Sequence, residues 1–467
     1  MHYVSTRGAA PRLGFADALL TGLARDGGLY TPVSPPVWRP EAIGALAGLP
    51  YARAATLIMS DFIGGDFGAS DLEAMTADAY AGFRHAATAP LVQIEPNLFS
   101  LELFHGPTLA FKDFAMQWLG RAMDKVLAER GERTTVLGAT SGDTGAAAIE
   151  AFGGLARADV FILYPNGRVS DVQRRQMTTV GKPNVHAMAV EGTFDDCQRI
   201  VKTLFGDLSF RDDMRLSGVN SINWARILAQ IVYYFVAAVA LGAPGRAVSF
   251  AVPTGNFGDV LAGYYAKRMG LPVERLVIAT NENDILARTL ATGRYEARGV
   301  KATQSPSMDI EVSSNFERLL FEASGRDPEA VTAMMGDFAS QGWFAVPSAA
   351  LARIRADFGA ERVDERQCAA EMARVWRECG LIIDPHSAVG VAAARRTLTA
   401  DPATPVVALG TAHPAKFPDA VERATGVRPA LPPHLADLMD RPERSVALPN
   451  DPAAVADYLR RMARAPA

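Results

Sequence analysis

Lysine is scarce in this chain. Of 47 basic residues, seven are lysine, at positions 112, 125, 182, 202, 267, 301 and 416. Arginine stays protonated, so a lysine kept in an arginine background is a candidate for work that needs a free amine. Cysteine is rarer still. Cys197, Cys368 and Cys379 are odd in number and have no CxxC spacing, which excludes a disulfide framework and fits a reduced, cytoplasmic compartment. Neither sign of charge dominates: the net charge is −4 and the pI about 6.0. A nucleic-acid or membrane-surface binder would carry a basic footprint. Long apolar runs are also missing. The longest candidate, ILAQIVYYFVAAVALGA, holds a glutamine and two tyrosines and reads as a buried helix rather than a membrane span. The opening MHYVSTRGAAPRLGF does not have the charged and then apolar pattern of a signal peptide. The seven histidines show no HxH or HxxxH pairing, so no metal site is expected.

From about residue 130 to 415 one pattern recurs: a β-branched run, a Gly/Pro/Asn turn, then an amphipathic segment. TTVLGAT, ADVFILYP, NVHAMAV, AVSFAVP, RLVIAT and TPVVALGT are near-continuous apolar runs, as strands covered on both faces are. In NWARILAQIVYYFVAAVA, the residues Trp224, Ile227, Leu228, Ile231, Val232 and Phe235 fall on one helical face. This alternation predicts an α/β fold with two mainly parallel sheets. Ligands of such sheets sit beyond the carboxyl ends of the strands. Residues 1–92 read as a mostly helical N-terminal domain, with one helix running to the Gly-Gly at 27–28 and another capped by Ser70 with Glu73 in capping-box spacing. Residues 93–430 read as the α/β region, with a small domain at about 115–215 inserted in a larger one. Residues 431–467 read as a helical tail packed on the large domain.

Three loops follow predicted strands and open helices. GATSGDTGAAAIEAF places Ser141, Gly142, Asp143, Thr144 and Gly145 where free N–H groups and the helix dipole favour an anion. PTGNFGDVLAGYYAK, with Gly255 and Gly258, permits close backbone approach by a phosphate monoester. LGTAHPAKF sets Thr411 and His413 at a strand end. Each would serve equally as a plain strand–helix junction. Lys112, in HGPTLAFKDF, follows an apolar run and heads a helical pattern. Desolvation and the positive dipole end push such an amine toward its neutral, nucleophilic form. Two phosphate-cradling turns near such a lysine suggest pyridoxal 5′-phosphate in one and an anionic substrate in the other.

Taken together, ELFHGPTLAFKDF, LGATSGDTGAA, NSINWARILAQ, VPTGNFGD and GTAHPAKF, with the early YVSTRG…FADALLTGLARDGGLY, resemble the threonine synthase family over nearly the whole chain. The likeness is to its longer bacterial and fungal form, within the tryptophan-synthase-β-like (fold-type II) pyridoxal-phosphate enzymes. The resemblance implies that Lys112 carries the cofactor as a Schiff base and shuttles protons. It implies that Gly255, Asn256, Phe257, Gly258 and Asp259 hold the cofactor phosphate, and that Thr411 meets the pyridine nitrogen. Asp143 would face the O3′ edge, where a carboxylate would need a shared proton. Ser141, Gly142, Thr144, Ser221, Asn223 and Arg226 would bind substrate, although Arg226 would suit a structural ion pair as well. The implied reaction, the last step of threonine biosynthesis, turns O-phospho-L-homoserine and water into L-threonine and phosphate. No obligate protein partner is implied, and the chain would act as a monomer or homodimer. A phosphohomoserine γ-elimination lyase, a serine or threonine dehydratase, and a non-catalytic metabolite binder remain as alternatives.

Overall fold

Two parallel sheets account for the alternating pattern. The computed structural model describes residues 1–464; the last three residues of the expected tail lie outside them. All six predicted strands form. Thr134–Ala139, Ala158–Pro165 and Val185–Val190 lie side by side in a five-stranded parallel sheet. Val248–Pro253, Val273–Thr280 and Val406–Gly410 form the middle of a six-stranded sheet. Its strands are parallel except Leu91–Glu95, which pairs antiparallel with Leu98–Glu102. Every residue of Ala158–Pro165 and Val248–Pro253 is buried, as their unbroken apolar character requires when helices cover both faces.

The Trp224–Ala240 helix was expected to bury one face. It is buried almost all round, with Ile227, Leu228, Ile231, Val232 and Phe235 inaccessible to solvent. It packs on the Lys112–Arg130, Gly258–Arg268 and Tyr51–Ile63 helices, so it joins the N-terminal segment to the main body. Burying such side chains contributes roughly 1.5–3 kcal/mol each. Among the described residues no helix is long and apolar enough to cross a membrane.

Several boundaries differ from expectation. The first helix covers only Phe15–Thr21 and stops at Gly22, whose φ of +64° breaks it six residues before Gly28. Ser70 caps nothing: its helix starts at Ala69 with Gly68 as N-cap, so Ser70 lies inside the first turn. Full capping boxes occur instead at Ser170/Gln173, Thr193/Asp196 and Asp364/Gln367. The tail is placed differently too. Val446–Leu448 adds a parallel edge strand beside Val185–Val190, and the Pro452–Met462 helix packs on Phe194–Gly206. The end of the tail therefore completes the smaller sheet, while Leu435 and Leu438 pack against Leu109 and Val172. Its strand is three residues long and leaves almost no alternation to read.

Candidate active site

The HGPTLAFKDF loop is folded by its own residues. Asp113 accepts hydrogen bonds from the N–H (2.8 Å) and hydroxyl (2.6 Å) of Thr108. Its side chain fills the space a Cβ on Gly106 would need, at 2.5 Å, so only glycine fits there. Leu109 takes a φ of +62°, and the chain then runs against 411–413. Phe111 N–H donates to Thr411 O at 2.9 Å, and His413 N–H donates to Leu109 O at 3.0 Å. This pairing brings Lys112, the first residue of its helix, and Thr411, the first residue after Val406–Gly410, onto one cavity wall. The cavity encloses about 690 Å³ including its mouth, within the usual range for a small-molecule site.

From the five-stranded sheet comes the turn before the Asp143–Phe152 helix. No side chain of the N-cap Gly142 is available, and the hydroxyl of Thr140 accepts from the N–H groups of Gly142 and Gly145, both at 2.9 Å. Asp143 is buried. Its Oδ1 accepts from Lys416 Nζ at 2.9 Å and Gln173 Nε2 at 2.8 Å, while Oδ2 faces Lys112 Nζ and Ser307 Oγ at 3.4 Å each. Burial pushes its pKa up, but the Lys416 and Lys112 charges and the Gln173 bond outweigh burial and hold it well below the carboxylate range. Burial is the main reason Lys112 lies below the ordinary lysine value, opposed by Asp143 and helped by Lys416 and Arg226. A Cβ on Gly142 would strike the Gln173 amide at 2.3 Å, so this glycine keeps Gln173 on Asp143.

From the six-stranded sheet comes the turn before the Gly258–Arg268 helix. Ser313 Oγ donates to Gly255 O at 2.7 Å, and Asn315 donates to Asn256 O from its backbone (3.1 Å) and its amide (3.0 Å). Phe257 is left-handed at φ +64°, a conformation that costs a non-glycine residue roughly 1–2 kcal/mol; its ring packs on Phe316 and Phe358. Asp259 is buried against Tyr233 and Tyr234, whose hydroxyls donate to its Oδ1 at 2.5 and 2.9 Å. Burial outweighs these bonds and Lys112, pushing its carboxyl up to about 6.

Ser307 and Met308 close one side of the cavity. Ser307 N–H donates to His386 Nε2 at 3.1 Å, so His386 is protonated on Nδ1, which donates to Asp384 at 2.6 Å. Asp384 also caps its helix, accepting from Ser387 N–H at 2.9 Å, and Ser387 Oγ accepts from Thr411 N–H at 3.1 Å.

Lys112, Asp143, Gly255, Asn256, Phe257, Gly258, Asp259 and Thr411 all stand on the wall, as do Thr144, Ser221 and Arg226. Ser141 and Gly142 shape the turn but do not line the wall. Asn223 is a correction. It is fully buried, its amide donating to Leu19 O at 2.8 Å and accepting from Ala225 N–H at 3.0 Å. It is the N-cap of Trp224–Ala240, with both amide atoms engaged away from the cavity wall. Arg226 has no ion-pair partner among the described residues. It is 2% exposed, donates to Val219 O at 2.9 Å, and leaves Nε buried without a partner. Sequence reasoning missed Ser307, His386 and Lys416. Lys416 carried the one usable signal, as one of the seven lysines beside a strand end. Among the described residues no cluster suited to a metal occurs.

The donor set fits a phosphorylated aldehyde. A Cβ on Gly255 would lie 2.9 Å from Ser307 O, so the turn is open only because it is glycine, and Arg226 Nε and Asp259 Oδ2 are buried with no partner. A buried amine between glycine-lined helix starts is the constellation of a pyridoxal-phosphate enzyme, and the family model for "pyridoxal-phosphate dependent enzyme" matches residues 85–412. The models for the threonine synthase N terminus and C-terminal region match 2–80 and 387–459. A threonine synthase of Pseudomonas aeruginosa is 52% identical over 98% of both chains. The crystal structure of the pyridoxal-phosphate-bound threonine synthase of Brucella melitensis superposes with a TM-score of 0.97 at 59% identity, covering all of both chains. That of Escherichia coli gives 0.84 at 34% identity, covering 99% of this chain and all of the other. The chain belongs to the threonine synthase family, and its cofactor is pyridoxal phosphate.

Proposed function

We propose that the protein converts O-phospho-L-homoserine and water to L-threonine and phosphate, with the cofactor attached at Lys112. The observation that carries this is the buried amine of Lys112 where the two turns meet, facing a cavity whose walls also supply the unpaired Arg226. Gly255, Asn256, Phe257 and Gly258 would hold the cofactor phosphate with helix-start N–H groups, and Thr411 would meet its ring nitrogen. Bound there, the cofactor supplies an electron sink for the carbon that bears the substrate amine. Lys112 Nζ takes the proton from that carbon and returns it at the end. Arg226, with Thr144 and Ser221 on the same wall, would bind the substrate phosphate. Its guanidinium is desolvated, burial bringing it down to about 10, and a phosphate dianion would restore a counter-ion. The three cysteines are free thiols, in keeping with a reducing cytoplasm.

The test is a visible absorption spectrum of wild type and Lys112→Ala, followed by product analysis. Wild type should be yellow and its band reshaped by O-phosphohomoserine. Lys112→Ala should lack that covalent band and lose at least about a thousandfold in kcat. A main product of 2-oxobutyrate instead of threonine would sink the assignment.

A further inference from the structure

Asp143 lies between two lysines, and it does not treat them alike. Lys416 rises from the short turn Pro414–Lys416 after the Val406–Gly410 strand and is completely buried. Its ammonium sits 2.9 Å from Asp143 Oδ1 and 2.7 Å from Thr108 O. Gln173 donates to the same Oδ1. Lys112 meets only the other oxygen, at 3.4 Å, and has Ser307 Oγ as a second neighbour at 3.4 Å. A buried amine with a carboxylate to itself stays protonated, and a protonated amine has no lone pair with which to attack an aldehyde.

We propose that Lys416 is a positioning residue: by holding Asp143 through Oδ1 it denies Lys112 a full counter-ion and so leaves that amine free to react. The inference rests on the reading of Lys112 as the amine that takes the cofactor. The groups facing Lys112 are Asp143, Lys416 and Arg226, with Asp259 farther along the wall and His386 beyond Asp143. Those facing Lys416 are Asp143, Asp113, His413 and Lys112 itself. Burial is the main influence that lowers Lys112, and Lys416 and Arg226 act in the same direction. Asp143 opposes them.

Full-length protein freed of cofactor is mixed with pyridoxal 5′-phosphate, and the growth of the visible band is followed from neutral to alkaline pH. The midpoint of the rate profile reports deprotonation of Lys112. In Lys416→Gln, which keeps a donor for Asp143, and in Lys416→Met, the midpoint should move up by about one pH unit, slowing capture at neutral pH about tenfold. Lys416→Arg keeps the charge and should restore the wild-type profile. A merely structural lysine would alter stability but leave the midpoint in place. A midpoint unmoved or lowered in the neutral variants overturns the proposal. Should neither neutral variant fold, a wild-type midpoint at or above that of ordinary lysine still overturns the proposal. If wild type forms no band at all, the functional reading falls and the inference with it. A wild-type band with unmoved variants overturns the inference alone.

Discussion

The turns at 140–145 and 254–259 are built alike. Each follows a central parallel strand, starts a helix, lines the same cavity and buries an aspartate in the first helical turn. Their carboxyls are pushed in opposite directions. Asp143 has Lys416 and Lys112 beside it and stays ionised. Asp259 has two tyrosine hydroxyls, and burial lifts it to about 6. The helix dipole, common to both, is worth roughly 0.3–2 kcal/mol to a carboxylate. The net rise of Asp259 from 3.8 to about 6 is worth on the order of 3 kcal/mol, so the dipole alone does not offset burial. The partner brought from elsewhere in the chain decides.

The strongest test of this contrast is Asp143→Asn. It leaves Lys416 buried without its counter-ion, so we expect about 3 kcal/mol lost in denaturant unfolding. We also expect kcat/KM to fall about a hundredfold. Asp259→Asn should instead change the pH dependence. The folded pKa of Asp259 lies above its unfolded value of 3.8, so its contribution is complete below that value and is lost as pH rises through about 6. Relative to the asparagine variant, wild type should lose about 3 kcal/mol between acid and neutral pH, read from urea midpoints at both. If both variants behave alike, the contrast is broken.

Smaller changes sharpen it. Gly255→Ala puts a methyl 2.9 Å from Ser307 O, a backbone atom that must shift. Cofactor affinity, measured by spectral titration, should weaken about tenfold, or 1.4 kcal/mol. Asn223→Ala removes a helix cap behind the wall. It should cost about 1 kcal/mol of stability and leave KM for the phosphorylated substrate within about twofold, where a substrate ligand would show a much larger rise.

Much of the site was legible because its turns follow strands that read plainly. Gly255–Asp259 and Thr411 stand directly after Val248–Pro253 and Val406–Gly410, whose unbroken apolar runs mark buried parallel strands. Lys112 was legible through its rarity. Asn223 was misread because an N-cap and a phosphate ligand look the same in sequence: a short polar residue ahead of a helix. Its fate is set by Leu19, more than two hundred residues away. His386 and Ser307 were missed for a related reason. The DPHSA segment reads as an ordinary helix start, and the loop at 305–309 has no periodicity to place it. The short strands at 216–218 and 446–448 were missed because three residues carry no pattern.

The sequence by itself determined the two parallel sheets, the turns at their carboxyl ends and the residue types set there, because hydrophobic periodicity and glycine placement are local and act through the backbone. Only the tertiary structure decided which aspartate carboxyl is lowered and which is raised, which lysine holds Asp143 through Oδ1 and which asparagine is a cap. Those properties depend on burial and on partners such as Lys416 and Asp143, 273 positions apart in the chain, and Coulomb energy depends on distance in space and on the surrounding dielectric.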